Sequence, residues 1–197
     1  MNNKSIIIIG NGQSILNNEL QDEIDAFDLV VRINNYKING YEHYLGTKTD
    51  IWFNGANSKL SIPEYIPNKV IVAIPSMIFL HQKDNIQTYI SKRVGINDDI
   101  ITLIPKEQIE SYEKIVNHNR LTTGLYSILW AINNYDNIYI HGFDFFINSK
   151  AHYYDSKLMT FVNNNIVNKG HKHDNDKEYN FINHLLDENK IRRLKND

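Results

Sequence analysis

Near its start the chain carries Ser5-Ile-Ile-Ile-Ile-Gly10, four consecutive isoleucines closed by a glycine. A β-branched run with no polar alternation has no face to give to water, so it predicts a strand buried on both sides in a parallel sheet. The next residues, Asn11-Gly12-Gln13-Ser14, turn into a helix expected to reach about Phe27, with Ser14 as N-cap and Ile15, Leu16, Leu20 and Ile24 facing inward. A strand, glycine turn and helix bring backbone N–H groups and a helix N-terminus to one point, which suits a phosphate or nucleotide. A tight turn without a ligand has the same pattern.

The alternation continues. Leu29-Val-Val-Arg-Ile-Asn34 reads as a second strand, and a loop over 40–50 leads into Ile51-Trp52-Phe53, stopping at Asn54-Gly55. Pro63 and Pro67 mark an irregular connection before a fourth strand over 69–74. Residues 77–93 read as a helix with Met77, Leu80, Ile86 and Ile90 inward, and 100–104 as a fifth strand. The helix from Lys106 to about Asn117 reads as a solvated cover. Thr122 or Thr123 caps a helix that buries Leu125, Ile128, Leu129 and Ile132, and a sixth strand over 137–141 closes on Gly142-Phe143-Asp144. The expected fold is α/β, a single Rossmann-like domain over 1–197 with a mostly parallel sheet flanked by helices. Residues 147–172 make a connection long enough to be a functional lid.

Composition excludes several classes. With 197 residues, 42% hydrophobic and 22% charged, the chain has globular composition and enough length for one core. A net charge of -2 argues against a nucleic-acid partner, and Cys 0 removes disulfides, thiolate zinc sites and a cysteine nucleophile. No stretch is long and apolar enough to span a bilayer. The expectation is a cytoplasmic protein with at most peripheral contact at the inner face of the membrane.

Polar residues gather at strand and helix ends. Gly10-Asn11-Gly12 is not followed by a third glycine, since Ile15 stands there, and the second strand ends in Asn34 and Asn35 where a ribose-binding acid would be expected. A mononucleotide or nucleotide-sugar therefore fits better than NAD. His152-Tyr153-Tyr154-Asp155 could hydrogen-bond a departing phosphate or simply anchor a loop through its rings. Gly170-His-Lys-His173-Asp174-Asn175-Asp176-Lys177-Glu178 precedes an apolar helical pattern through Phe181, Ile182, Leu185 and Leu186. Asn175 and Glu178 have N-cap and N3 spacing, which places His173 just outside the positive end of a helix. That position disfavours the imidazolium and suits a general base; a plain solvated cap has the same sequence.

These segments together resemble the sialyltransferases, both the bacterial lipooligosaccharide group and the animal and viral group. Ile9-Gly-Asn-Gly-Gln-Ser14, Arg32-Ile-Asn-Asn35 and Gly40-Tyr41-Glu42 with Leu45-Gly46-Thr47-Lys48-Thr49 are similar to the large donor-binding sialylmotif. Leu121-Thr-Thr-Gly124, with the strand into Gly142-Phe-Asp144, is similar to the small one. His152-Tyr-Tyr-Asp155 resembles the third motif, and His173 with Glu178 resembles the last. The resemblance implies a modified GT-A domain with a mobile lid, working without a metal ion or other cofactor. It implies transfer of sialic acid from CMP-sialic acid, with inversion, to a galactose or sialic acid of a lipooligosaccharide or capsule.

On this resemblance His173 is the base, in preference to His171, and His152 assists departure of CMP. Gly10, Asn11, Gly12, Ser14, Asn34, Asn54, Arg120, Thr122, Thr123, Gly142, Phe143, Asp144, Tyr153 and Tyr154 form the donor-binding set. Phe146 stands where the bacterial group has a tyrosine near the leaving phosphate, so assistance falls to His152, helped by Tyr153 or Tyr154. The animal enzymes' paired cysteines and anchor are absent, and Arg192, Arg193 and Lys195 form only a small basic tail in place of the bacterial C-terminal extension. The expected partners are a CMP-sugar and a glycan acceptor, with oligomeric state open, a homo-oligomer included. Three rivals share parts of the pattern: transfer of another CMP-activated acid such as Kdo, a metal-dependent phosphoesterase using His152, His171, His173 and Asp174, and a nucleotide-binding module without catalysis.

Overall fold

A computed structural model of the chain describes residues 2–82, 85–144, 152–155 and 174–194. The isoleucine run forms β1 (Asn2–Ile9), with Ile6, Ile7 and Ile8 completely buried. It is followed by β2 (Leu29–Ile33), β3 (Ile51–Asn54), β4 (Lys69–Val72), β5 (Ile101–Leu103), β6 (Tyr135–His141) and β7 (Arg192–Arg193). They make one seven-stranded sheet in the order β5-β4-β3-β2-β1-β6-β7, and every pairing is parallel. From β1 the chain winds outward through β5 and then returns to lay β6 on the other flank of β1. The strand order therefore reverses between β1 and β6, and the crevice at their carboxyl ends is where sheets of this kind receive ligands.

The sheet is covered on both faces. On one side α6 (Thr123–Ile132) crosses β1, β2 and β3, and Leu125, Ile128 and Leu129 are buried against Ile8, Val31, Ile33 and Phe53. Tyr126, Ser127, Trp130 and Ala131 are buried too: the Trp130 ring lies against Phe53 and Tyr135, and α5 (Lys106–Val116) packs beside α6. A helix expected to show one apolar stripe is thus enclosed nearly all round. On that same side α7 (Asn175–Asp187) buries Ile182 and Leu185. The opposite face of β1 and β2 is covered by Ile15, Leu20, Ile24 and Leu45, and the outer strands carry a third cluster around Trp52, Val70 and Ile90.

Several expected elements differ. The helix over 14–27 is a 3-10 turn (Gln13–Asn17) and a short α1 (Gln21–Asp25), since Asn17 and Asn18 interrupt the pattern with polar side chains that compete for backbone groups. The loop over 40–50 contains α2 (Glu42–Leu45). The helix over 77–93 divides into α3 (Ser76–Gln82) and α4 (Ile86–Val94), and Met77 and Leu80, expected inside, are 39% and 56% exposed. α5 is no solvated cover: Ile109, Tyr112 and Val116 are buried, and so is Glu113, whose carboxylate accepts hydrogen bonds from Ser76 N–H, Ser76 Oγ and Tyr126 Oη. The basic tail, where the sequence predicts no strand, contributes β7. Among the described residues no helix is long and apolar enough to cross a membrane.

Candidate active site

Two loops meet at the reversal point. Gly10 N–H donates to His141 O at 2.7 Å and Gly12 N–H to Gly142 O at 2.9 Å, so the turn after β1 and the turn after β6 extend the sheet pairing past the strands. Side chains have no room there: a Cβ on Gly10 would lie 2.1 Å from Gly142 O, and one on Gly12 would lie 2.3 Å from the Asp144 carboxyl carbon. Ser14, expected as an N-cap, instead donates its N–H and hydroxyl to Asp144. Asp144 thereby neutralises the start of the 3-10 turn from outside, and Gly12 occupies the N-cap position. Phe143 is buried beneath Gly10 and Gly124. Gly10, Gly12, Ser14, Gly142, Phe143 and Asp144 thus frame the crevice, and their described side-chain contacts are with one another and the core.

Three asparagines stand at successive strand ends. Asn11 Nδ2 donates to Ile33 O at 3.0 Å and Asn35 O at 2.9 Å, clamping the turn after β1 to the end of β2. Asn34 has φ 48°, in the left-handed region that asparagine tolerates, and its Oδ1 accepts from Gly55 N–H. Asn54 is fully buried, and its Oδ1 accepts from Ala56 N–H. Asn11 Oδ1 and Asn54 Nδ2 are buried with no hydrogen-bond partner among the described residues. An orphaned buried amide atom costs about 1–3 kcal/mol, so two on the same edge of the sheet, at the ends of β1 and β3, are an uncommon expense outside a functional site.

The N-terminus of α6 faces these strand ends. Thr122 is its N-cap, with Oγ1 accepting from Leu125 N–H at 3.2 Å, and Thr123 Oγ1 stands 2.7 Å from where a Cβ on Gly55 would be. Arg120, two positions before the cap, is half-buried. The Thr122 hydroxyl and N–H both donate to Glu178 of α7, at 2.5 Å and 2.7 Å. Glu178 is 1% exposed, and burial pushes its carboxyl up to about 7, opposed by the Thr122 hydrogen bonds and reinforced by Asp174. The sequence shows only its spacing from His173; the contact to Thr122 is long-range and leaves no local signal.

The cap of α7 also corrects the sequence reading. Asp174, rather than Asn175, is the N-cap, accepting from Lys177 N–H. Glu178 therefore falls one position beyond N3 and turns away from its own helix end toward α6. His171 and His173 lie outside the described residues, as do Phe146 and most of the lid at 147–172.

Within that segment His152–Asp155 is described, and it is anchored. Tyr153 is buried; its hydroxyl donates to Lys37 O at 2.6 Å and accepts from Lys37 N–H at 2.8 Å, while its own N–H donates to Asn11 O. Tyr154 Oη donates to Asn35 O at 3.0 Å, and the His152 ring stacks on Tyr154 with centroids 5.3 Å apart. Burial pushes the Tyr153 phenol up to about 12 and raises Tyr154 as well, so both stay protonated at neutral pH. The expectation that these hydroxyls serve a departing phosphate meets a structure in which both already hold the loop after β2. Tyr153→Phe is expected to lower stability by about 1–3 kcal/mol in urea unfolding, by stranding both Lys37 backbone groups, while turnover per folded molecule stays at the parent value.

Among the described residues no group of three or more His, Asp or Glu is arranged to hold a metal ion. Of the ligand set considered for a phosphoesterase, only His152 and Asp174 are described.

Over residues 2–190 the sequence matches the family model for glycosyltransferase family 29 (sialyltransferase). It is 23% identical over 221 residues to the Homo sapiens type 2 lactosamine alpha-2,3-sialyltransferase, covering 98% of this chain and 65% of the relative. To the Mus musculus CMP-N-acetylneuraminate-beta-1,4-galactoside alpha-2,3-sialyltransferase it is 24% identical over 186 residues, covering 79% and 49%. The chain thus spans 49% to 65% of the length of these curated relatives. Among solved structures, that of a mammalian sialyltransferase superposes with a TM-score of 0.73 at 19% identity, covering 99% of this chain and 70% of the other. Campylobacter jejuni CstII in complex with CMP-3FNeuAc superposes with a TM-score of 0.59 at 19% identity, covering 96% and 80%. These likenesses establish a shared GT-A-like fold.

Proposed function

Because the chain belongs to glycosyltransferase family 29, the sialyltransferases, we propose that it moves sialic acid from CMP-sialic acid to a hydroxyl of a glycan, with inversion and without a metal ion. The observation that carries this reading is the row of Asn11, Asn34 and Asn54 at the carboxyl ends of the adjoining strands β1, β2 and β3, beside the β1–β6 crevice and opposite the N-terminus of α6. A cytidine nucleotide suits that setting, because an amide both donates and accepts and so can read a base or ribose edge. The first turn of α6 favours a phosphate charge. CMP and CMP-3FNeuAc are named in complexes of CstII, which has this fold.

His173 acts as the general base. It takes the proton of the acceptor hydroxyl as that oxygen bonds to the anomeric carbon of sialic acid, and the bond from that carbon to the CMP phosphate oxygen breaks, releasing CMP. His152, at the edge of the described lid residues, donates a hydrogen bond to the departing phosphate. The relatives' names include lactosamine and beta-1,4-galactoside, and a terminal galactoside is the proposed acceptor class.

The test is CMP release from CMP-sialic acid with and without N-acetyllactosamine, repeated in excess EDTA and with CMP-Kdo as donor. Acceptor-dependent release that ignores the chelator supports the reading. Loss of activity in EDTA, or use of CMP-Kdo in preference, overturns it. For the nucleotide site, Asn54→Ala is expected to weaken CMP binding in calorimetry by roughly tenfold, the effect of losing one hydrogen bond of ordinary strength in a buried site.

A further inference from the structure

A groove runs along the amino edge of the sheet, the edge opposite the nucleotide crevice. Leu29, Ile51, Lys69 and Tyr135, each the first residue of its strand, line it together with Lys4 of β1 and Tyr65 from the connection before β4. Its volume is about 410 Å³, within the range of small-molecule sites. The run of β1 from Lys4 to the Gly10 turn separates it from the crevice by about 20 Å.

Tyr135 is 8% exposed, and its hydroxyl, though not sealed in the core, has no hydrogen-bond partner among the described residues. A tyrosine buried to that degree ordinarily finds a partner for its O–H. Burial alone raises this phenol, so it stays protonated at neutral pH and has a proton to donate. Lys69 is a second donor. Its ammonium lies 5.5 Å from the centroid of the Trp130 ring, and the same indole packs against Tyr135 with centroids 5.7 Å apart. One ring thus holds both donors, and Lys69 makes no ion pair among the described residues. Lys4 adds a further cation to the lining. Asp50, the acid on this lining, is already compensated: its Oδ2 accepts from Val30 N–H at 2.7 Å and meets Lys48 at 3.6 Å.

We propose that this groove is a second binding site, taking a sugar that bears a carboxylate. The carboxylate meets Lys4, Lys69 and the Tyr135 hydroxyl, the sugar ring lies over the apolar floor of Leu29 and Ile51, and Asp50 Oδ1 accepts from a hydroxyl. A bare phosphate would leave that floor wet, and a wholly apolar ligand would strand the Tyr135 hydroxyl and both ammoniums. Tyr65, 64% exposed between Pro63 and Pro67, offers an aromatic face at the rim. A sialylated glycan is a carboxylated sugar. Held here, one chain of a multivalent substrate raises the local concentration of its neighbours at the crevice. The choice of sialic acid as the sugar rests on the sialyltransferase reading, whereas the groove itself does not depend on it.

The experiment titrates the full chain, with CMP saturating the crevice, by ligand-observed NMR. The probes are the methyl α-glycoside of N-acetylneuraminic acid, the methyl ester of that glycoside, and inorganic phosphate. The glycoside is expected to bind with a Kd on the order of millimolar, and the ester and phosphate at least about fivefold more weakly. Tyr135→Phe should weaken the glycoside about tenfold, the loss of a hydrogen bond to a charged group, and Lys69→Met about two- to fivefold. Because the Tyr135 hydroxyl bonds nothing in the fold, Tyr135→Phe should keep the parent melting temperature and CMP affinity. Absence of glycoside binding below about 20 mM overturns the proposal. So does an ester that binds equally well, phosphate as tight as the glycoside, or glycoside binding indifferent to both substitutions. If Tyr135→Phe does not fold, Lys69→Met and Tyr65→Ala decide: weakened binding in both supports the site, and parent-like binding in both overturns it. A chain that binds the glycoside in the groove yet transfers to no acceptor overturns the sialyltransferase reading alone, whereas an active enzyme without groove binding overturns this inference alone.

Discussion

His173→Ala is expected to reduce sialyl transfer by about 10²- to 10⁴-fold while leaving CMP affinity near the parent value. The acceptor hydroxyl is a poor nucleophile until its proton is removed, so loss of the base acts on the chemical step and spares the nucleotide contacts. The residue after His173, Asp174, is the N-cap of a 13-residue helix. His171→Ala is the paired control and should transfer at close to the parent rate. Kinetics of both variants, with CMP titrated by calorimetry, check the result; equal losses in the two would remove the assignment of His173 as base.

The second large effect is on the fold. Gly10→Ala is expected to cost about 3 kcal/mol or more of stability, measured by urea unfolding, and to leave a partly unfolded preparation at 37 °C. The added Cβ would lie 2.1 Å from Gly142 O and 2.8 Å from Gly142 C. Those are backbone atoms held by the Gly10-to-His141 and Gly12-to-Gly142 hydrogen bonds, so relief requires parting the two loops at the crevice. Gly40→Ala is the contrast. Nothing lies within 4 Å of a Cβ there, and the cost is limited to the positive φ of 85°, about 1 kcal/mol. Similar losses at both positions would show that the close approach at Gly10 relaxes easily.

The parallel sheet could be read from the sequence because its strands are buried on both faces and must be continuously apolar, as Ile6 to Ile9 and Val70 to Val72 are. The strand-end asparagines and Thr122 were found by the same logic, since they follow those runs directly. Contacts formed across the fold left no such trace. Glu113 and Glu178 look like ordinary surface acids in a helical pattern, and only the tertiary partners Ser76, Tyr126 and Thr122 make them buried. Met77 and Leu80 matched the period of a buried stripe, but α3 buries none of its residues and leaves both exposed. Ser14 had the right chemistry for an N-cap and was drawn instead to Asp144, 130 positions away. The resemblance to sialyltransferases supplied what these patterns could not, and the family match over 2–190 bears that resemblance out.

β1 precedes the other six strands in the chain, and one of its two neighbours in the sheet, β6, does not exist until residue 141 has been made. During translation its isoleucines can pair with β2 but must wait for most of the chain before their other edge is closed. The nascent protein therefore carries an open, strongly hydrophobic β-edge for much of its synthesis, a state prone to mispairing with other chains and well suited to protection by a chaperone.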